Sequence, residues 1–201
     1  MQLERLTYLV HGFNAKDGDK SVNKLTKFLK SDFENDYVKW TYGWFGLFSV
    51  IFRNKSIAKK IAKDINAAKR KHGSEISCIG QSNGCAILAE TAKSATIDKL
   101  ILFNPALKVD TVFDPSIKEI YILHTKHDVQ TRTAAFLDKV PVIQLIIPNA
   151  WGKMGAYGSN VKDSRIINVD MSNDIDGHSD VFKSKNIKTY GDMVHDIIYN
   201  V

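Results

Sequence analysis

Apolar and polar positions along this chain fall into short blocks whose period alternates between strand-like and helix-like. Residues 6–10 (LTYLV) form an apolar run that stops at His11-Gly12, the pattern of a buried strand entering a turn. From Asp19 to Ser31, Val22, Leu25, Phe28 and Leu29 recur at helical spacing. Tyr37–Tyr42 reads as a second strand and is followed by the apolar patch Trp44–Phe52. Ile57, Ile61, Ile65 and Ala68 then mark one face of a lysine-rich helix over 57–71, stopped by Gly73. Glu75–Ile79 predicts a strand that runs into Gly80-Gln81-Ser82-Asn83-Gly84, with a helix (CAILAETAK) directly after it. Lys99–Phe103 and Ile117–Leu123 are strands by their β-branched and aromatic content. Val129–Lys139 is expected to be helical, Arg165–Met171 is the last strand, and Lys185–Asn200 closes the chain as an amphipathic helix.

Strands alternating with helices imply βαβ crossovers and a mainly parallel sheet covered on both faces. The expected architecture is a single α/β domain over 1–201, with six strands in one layer. The segment 140–164 carries Pro141, Pro148 and several glycines that break any long element. It is expected to be either a structured loop over the site or a mobile flap.

A length of 201 residues suits one domain with one sizeable core, and 44% hydrophobic with 25% charged residues is a globular composition. The start of the chain lacks the layout of a signal peptide, and no apolar run approaches the ~18 residues of a membrane span. Cys78 and Cys85 flank the glycine-bracketed turn. A bridge between them would cross from a strand into the next helix, so two reduced, buried thiols are expected, and with them a cytoplasmic protein. The net charge of +6 could attract nucleic acid, anionic lipid or an acidic substrate. Many of the lysines, however, lie on the 57–71 helix away from its apolar stripe, where a solvated face explains them. No zinc-finger spacing or RNA-binding aromatic motif is present, so no nucleic-acid partner is expected. Without HExxH, paired CxxC, GxGxxG or a phosphate loop, neither a metal nor a cofactor is expected.

Ligands of α/β sheets bind beyond the carboxyl ends of the strands. His11-Gly12-Phe13 follows the first strand, Ser82 the third, His124 and Asp128 the fifth, and Asp174, Asp176 and His178 the last. A nucleophile, an acid and a histidine thus leave one edge in the order Ser, Asp, His. With Gly-x-Ser-x-Gly at a strand-to-helix junction, the chain resembles the α/β hydrolases, in particular a small, cap-less esterase or lipase-like member. The two glycines have a steric purpose, because side chains two positions either side of a strained serine would collide with it or with the neighbouring strand.

The resemblance implies Ser82 as nucleophile, His178 as general base and Asp128 as the acid that orients it. Asp128 also opens a helix, where an N-cap is the ordinary role. Asp110 and Asp114 are alternative acids, and Asp174 and Asp176 would need an unusual loop. Among the other histidines, 11 matches a structural position of the family, 72 and 195 lie on helices, and 124 and 127 follow the fifth strand. The oxyanion donors implied are the backbone N–H groups of Asn83 and Phe13. Trp44 and Phe45 are candidates for one wall of a substrate pocket, and Trp151, Met154 and Tyr157 for the other, with ordinary core as the competing role of the aromatic patch. The substrate class expected is a small or lipid-like acyl ester, and exposure of the patch would add peripheral contact with an anionic membrane surface. Amide or thioester hydrolysis, acyl transfer by the same three residues, and a non-catalytic binding role on the same fold are the alternatives.

Overall fold

The computed structural model describes residues 5–12, 21–29, 36–40, 47–137 and 151–199, with backbone only for 36–40, 47–52 and 134–137. Six strands form one sheet: β1 (Arg5–Val10), β2 (Asp36–Trp40), β3 (Glu75–Gln81), β4 (Ile97–Phe103), β5 (Ile117–His124) and β6 (Ile166–Asp170). Their order is β2-β1-β3-β4-β5-β6, and every neighbouring pair is parallel. The chain leaves β1 toward one edge of the sheet and leaves β3 toward the other. The gap beyond the carboxyl ends of β1 and β3 is therefore a topological switch point, where an open α/β sheet leaves a crevice.

Helices α1 (Leu47–His72), α2 (Asn83–Thr91), α3 (Val129–Leu137), the one-turn α4 (Met154–Tyr157) and α5 (Ile187–Tyr199) accompany the sheet, with a 3-10 turn at Val22–Lys27. Alternate strand residues feed two cores. Tyr8, Val10, Cys78, Leu100, Leu102 and Ile122 pack with Ala58, Ile61 and Ile65 of α1 and Ile87 and Leu88 of α2. Leu9, Ile79, Ile101, Phe103 and Leu123 pack on the other face with Leu25, Phe182, Tyr190, Val194 and Ile198. Burial on both faces explains why the central strands read as apolar runs and not as an alternation.

Helix α1 starts at Leu47, ten residues before the first residue of the periodic stripe, so the second half of the aromatic patch is helical backbone. Lys55, Lys59, Lys60 and Lys63 are exposed on it, the solvated face that the charge pattern predicts. Residues 19–31, expected as one helix, contain only the short 3-10 turn among the described positions. The described part of 140–164 is bound to its surroundings. Trp151 N–H donates to the Ala106 carbonyl at 2.6 Å, Met154 N–H to Leu107 at 2.9 Å, and Gly155 N–H to Pro105 at 2.9 Å. Among the described residues no helix is long and apolar enough to cross a membrane.

Candidate active site

Ser82 directly follows β3 and caps α2 with φ 52° and ψ −119°, a conformation that L-residues rarely adopt and that costs about 1–3 kcal/mol. The surrounding structure holds it there. Ser82 N–H donates to the Phe103 carbonyl at 3.0 Å, while its own carbonyl accepts from Cys85 N–H at 3.1 Å and Ala106 N–H at 3.2 Å. The bracketing glycines make the turn sterically feasible. A Cβ on Gly80 would stand 3.0 Å from the Cys85 nitrogen, and one on Gly84 would overlap the Val10 carbonyl oxygen. Helix α2 therefore starts directly on the end of β1. From that end Gly12 comes so close to the serine that a Cβ on it would lie 3.0 Å from Ser82 Cβ. Phe13 follows Gly12 but lies outside the described residues, as do Trp44 and Phe45.

His178 and Asp128 meet in a buried pair, with Nδ1 of the histidine 2.8 Å from Asp128 Oδ2. The Asp128 side chain is fully enclosed, and each of its oxygens has separate partners. Oδ1 accepts from Thr131 N–H at 2.9 Å, which is the N-cap bond of α3, and Oδ2 accepts a second bond, from Asn104 Nδ2 at 3.0 Å. Burial by itself would raise the Asp128 pKa. The bonds from His178, Thr131 and Asn104 outweigh it and hold the carboxyl below its ordinary value. The pair thus favours a carboxylate that accepts from Nδ1–H, which leaves Nε2 as the basic nitrogen.

The loop carrying His178 is tied down on both sides. Thr125 Oγ1 donates to the Ile175 carbonyl at 2.8 Å, and Gln81 Nε2 donates to Ser179 Oγ at 2.9 Å. The second bond joins the residue before Ser82 to the residue after His178. The other acids stand apart from this pair. Asp110 is exposed, Asp114 accepts from Ser116 N–H within its own turn, and Asp174 accepts from Tyr190 OH at 3.3 Å; Asp176 is exposed. Of the remaining histidines, His11 is buried with Nδ1 2.8 Å from the Gly12 carbonyl. His72 ends α1, His195 lies on α5 against Tyr199, His124 is the last residue of β5, and His127 lies in the turn after it.

The pocket candidates separate. Met154 is fully buried within the core that contains Leu107 and Phe113, so it is enclosed by protein and does not form an open wall. Trp151 is buried with φ 67°, and its backbone bonds to Ala106, the residue that in turn bonds to Ser82. Tyr157 is exposed. Among the described residues no group of three or more histidine, cysteine or acidic side chains could hold a metal ion.

Three polar residues of this site have no counterpart among the residues that the sequence pattern singles out: Asn104, Thr131 and Asn54. Asn104 comes directly after Phe103, the last residue of β4, and that position at the carboxyl end of a strand is the signal that could have found it. Asn54, on α1, pairs with Asn83 through two side-chain bonds. Its one sequence signal is that it lies four residues before Ala58, on the buried stripe of a helix otherwise rich in lysine.

No protein-family model matches the chain, and no curated protein matches it in sequence. Solved structures do match in shape. A protein from Xanthomonas campestris pv. campestris assigned to the α/β hydrolase superfamily superposes with a TM-score of 0.58 at 17% identity, over 98% of this chain and all of its own. An α/β serine hydrolase without lid from Xanthomonas campestris gives 0.59 at 10% identity, over 100% of this chain and 86% of its own. The esterase PE8 gives 0.54 at 14% identity, over 97% and 93%. The chain has the α/β-hydrolase fold.

Proposed function

We propose that this chain is a serine hydrolase that cleaves carboxylic esters through an acyl-enzyme, with Ser82 as nucleophile, His178 as general base and Asp128 as the orienting acid. The observation that carries the reading is the enclosed His178–Asp128 pair, held on a loop that the Gln81–Ser179 bond fastens beside the strained serine. In the reaction His178 Nε2 takes the hydroxyl proton as Ser82 Oγ attacks the ester carbonyl carbon. The carbon–alkoxy bond breaks, the imidazolium passes its proton to the departing alkoxide, and acyl-Ser82 remains. Water then attacks the acyl carbon while Nε2 takes its proton, and that proton returns to Ser82 Oγ as the carboxylic acid leaves. The backbone N–H of Asn83, at the start of α2, and that of Phe13 would receive the oxyanion. One such donor contributes about 3 kcal/mol to the transition state.

The named esterase and the serine hydrolase without lid among the similar structures support an ester substrate reached without a large cap. Trp151, and from the sequence pattern Trp44 and Phe45, are the candidates for contact with a small or lipid-like acyl group. The decisive experiment is labelling with a fluorophosphonate probe, which requires an activated serine. Wild type is expected to label and Ser82→Ala not to label. A folded wild-type protein that stays unlabelled, and that hydrolyses no member of a p-nitrophenyl ester series, would remove the proposal.

A further inference from the structure

Asn54 and Asn83 bond to each other reciprocally through their side-chain amides. Asn54 Nδ2 donates to Asn83 Oδ1 at 2.9 Å, and Asn83 Nδ2 donates back to Asn54 Oδ1 at 3.2 Å. Both side chains are buried, at 4% and 2% exposure. One residue lies in the second turn of α1 and the other is the first residue of α2. A neutral amide pair costs two desolvated side chains and yields little net stability, so an apolar pair of similar volume could fill the same space. What it supplies that an apolar pair lacks is a fixed direction.

The direction matters because of what Asn83 is joined to. Ser82 C=O and Asn83 N–H belong to one planar peptide unit, and the described residues contain no cis bond. The carbonyl of that unit is aimed at Cys85 N–H and Ala106 N–H, so the N–H of Asn83 points the opposite way, out of the first turn of α2. The carbonyl end is thereby held by two bonds. The other end of the unit passes into the Asn83 side chain, and Asn54 holds that side chain by two more.

We infer that Asn54 is a positioning residue: through Asn83 it sets the orientation of the backbone N–H that receives the oxyanion during acyl transfer from Ser82. The inference rests on the proposed role of Ser82 as nucleophile. Oxyanion donors act because they are aimed before charge develops, and a misplacement of about 1 Å can cost a hundredfold in rate. On this inference helix α1 acts on catalysis through the Asn83 amide.

The test is a mutant cycle of Asn54→Ala, Asn83→Ala and the double variant, assayed on p-nitrophenyl butyrate with active sites counted by fluorophosphonate titration. Asn54→Ala is expected to lower kcat per active site by about 10- to 100-fold with KM within twofold, and to slow phosphonylation of Ser82 in parallel. Asn83→Ala keeps its backbone N–H yet should lose a similar factor. The double variant should lose no more than Asn83→Ala alone, because Asn54 acts through Asn83. A purely structural role would lower Tm and leave kcat per active site unchanged, and that result overturns the inference. Losses that multiply in the double variant overturn it as well. Should Asn54→Ala not fold, Asn54→Asp serves instead. It keeps the acceptor for Asn83 Nδ2, sets two acceptors face to face at Asn83 Oδ1, and should lower kcat at least as far; unchanged kcat there overturns the inference too. Ser82→Ala separates the two levels. If Ser82→Ala hydrolyses the ester at the wild-type rate, the Ser82 reading itself fails; if it is inactive while the Asn54 variants keep full kcat, only the positioning role fails.

Discussion

Asp128 has two duties, one for each oxygen, and they can be separated by substitution. Oδ1 caps α3 through Thr131 N–H, and Oδ2 accepts from His178 and Asn104. Asparagine is nearly as good an N-cap as aspartate, so Asp128→Asn should keep α3 and most of the stability. To cap, however, the amide must turn its oxygen toward Thr131 and its NH2 toward His178. The imidazole Nδ1 must then accept, which places the proton on Nε2, where the serine proton should go. The expected result is a loss of about 10²–10⁴-fold in kcat on an ester substrate, with Tm within a few degrees of wild type. Asp128→Ala loses the cap as well and should be less stable than Asp128→Asn by about 1–2 kcal/mol in urea. Asp110→Asn, on an exposed side chain, should change neither. If Asp110→Asn lowers kcat more than Asp128→Asn does, the acid is misassigned.

At the scale of elements, Lys99 makes a comparable link between a strand and a helix. It lies in β4, almost fully buried, and its Nζ donates to the carbonyls of Ile197 and Ile198 at 2.9 and 3.3 Å. The last turn of α5 carries no basic residue of its own, so this strand lysine is the cation that complements its C-terminal dipole. Glu75 stands 3.7 Å away as its counter-ion. Lys99→Met preserves the length of the side chain but removes the charge. It is expected to cost about 1–2 kcal/mol and to raise hydrogen exchange in α5 ahead of β4. Such long-range polar contacts also mark where sequence reading ends. The carboxyl ends of β1, β3 and β5 were legible, because apolar runs stop sharply at His11, Gly80 and His124, and the site follows from those ends. The first two residues of β4, Ile97 and Asp98, were hidden because Asp98 looks like a loop residue until Ile76 N–H and Lys69 are brought to it. The first turns of α1 were hidden for the opposite reason: Trp44–Phe52 is apolar on every side and shows no period. Asn54 and Asn104 carry no chemical signature of their own, since their roles depend on partners that only folding supplies.

For the whole molecule, the buried ionisable groups give a response to acid in two steps. His124 is buried, and its Nδ1 has no hydrogen-bond partner among the described residues. Burial lowers its pKa, with nearby Asp170 offsetting part of the shift. The unfolded chain takes up this proton first, so stability that is present above the ordinary histidine value of about 6.5 declines as pH falls toward the lower folded value. Asp128 and Asp98 act at lower pH. Burial would raise both, but the bonds to Asp128 from His178 and to Asp98 from Ile76 N–H and its lysines hold them low. Their contribution is complete above about pH 4 and is lost as pH falls through their lowered folded values. Urea titrations of wild type should therefore show one decline below about pH 6.5 and a steeper one below about pH 4. His124→Gln should flatten only the first, and a variant that leaves the first decline unchanged would assign it to another group. The thiols report the same cooperative unit from inside. Cys78 lies in the central strand β3 and Cys85 in α2, both buried and unbridged, and burial pushes both thiols well above the usual range. Neither the thiolate nor a path to it is available in the folded state. With DTNB at pH 8, reaction should follow global unfolding, with a urea dependence equal to that of the equilibrium transition. Ser82, three residues before Cys85 but half-buried, should take a fluorophosphonate under the same native conditions. If Cys85 reacts as fast as a free thiol in folded protein, α2 opens locally. In that event the elbow that holds Ser82 is not part of the rigid core.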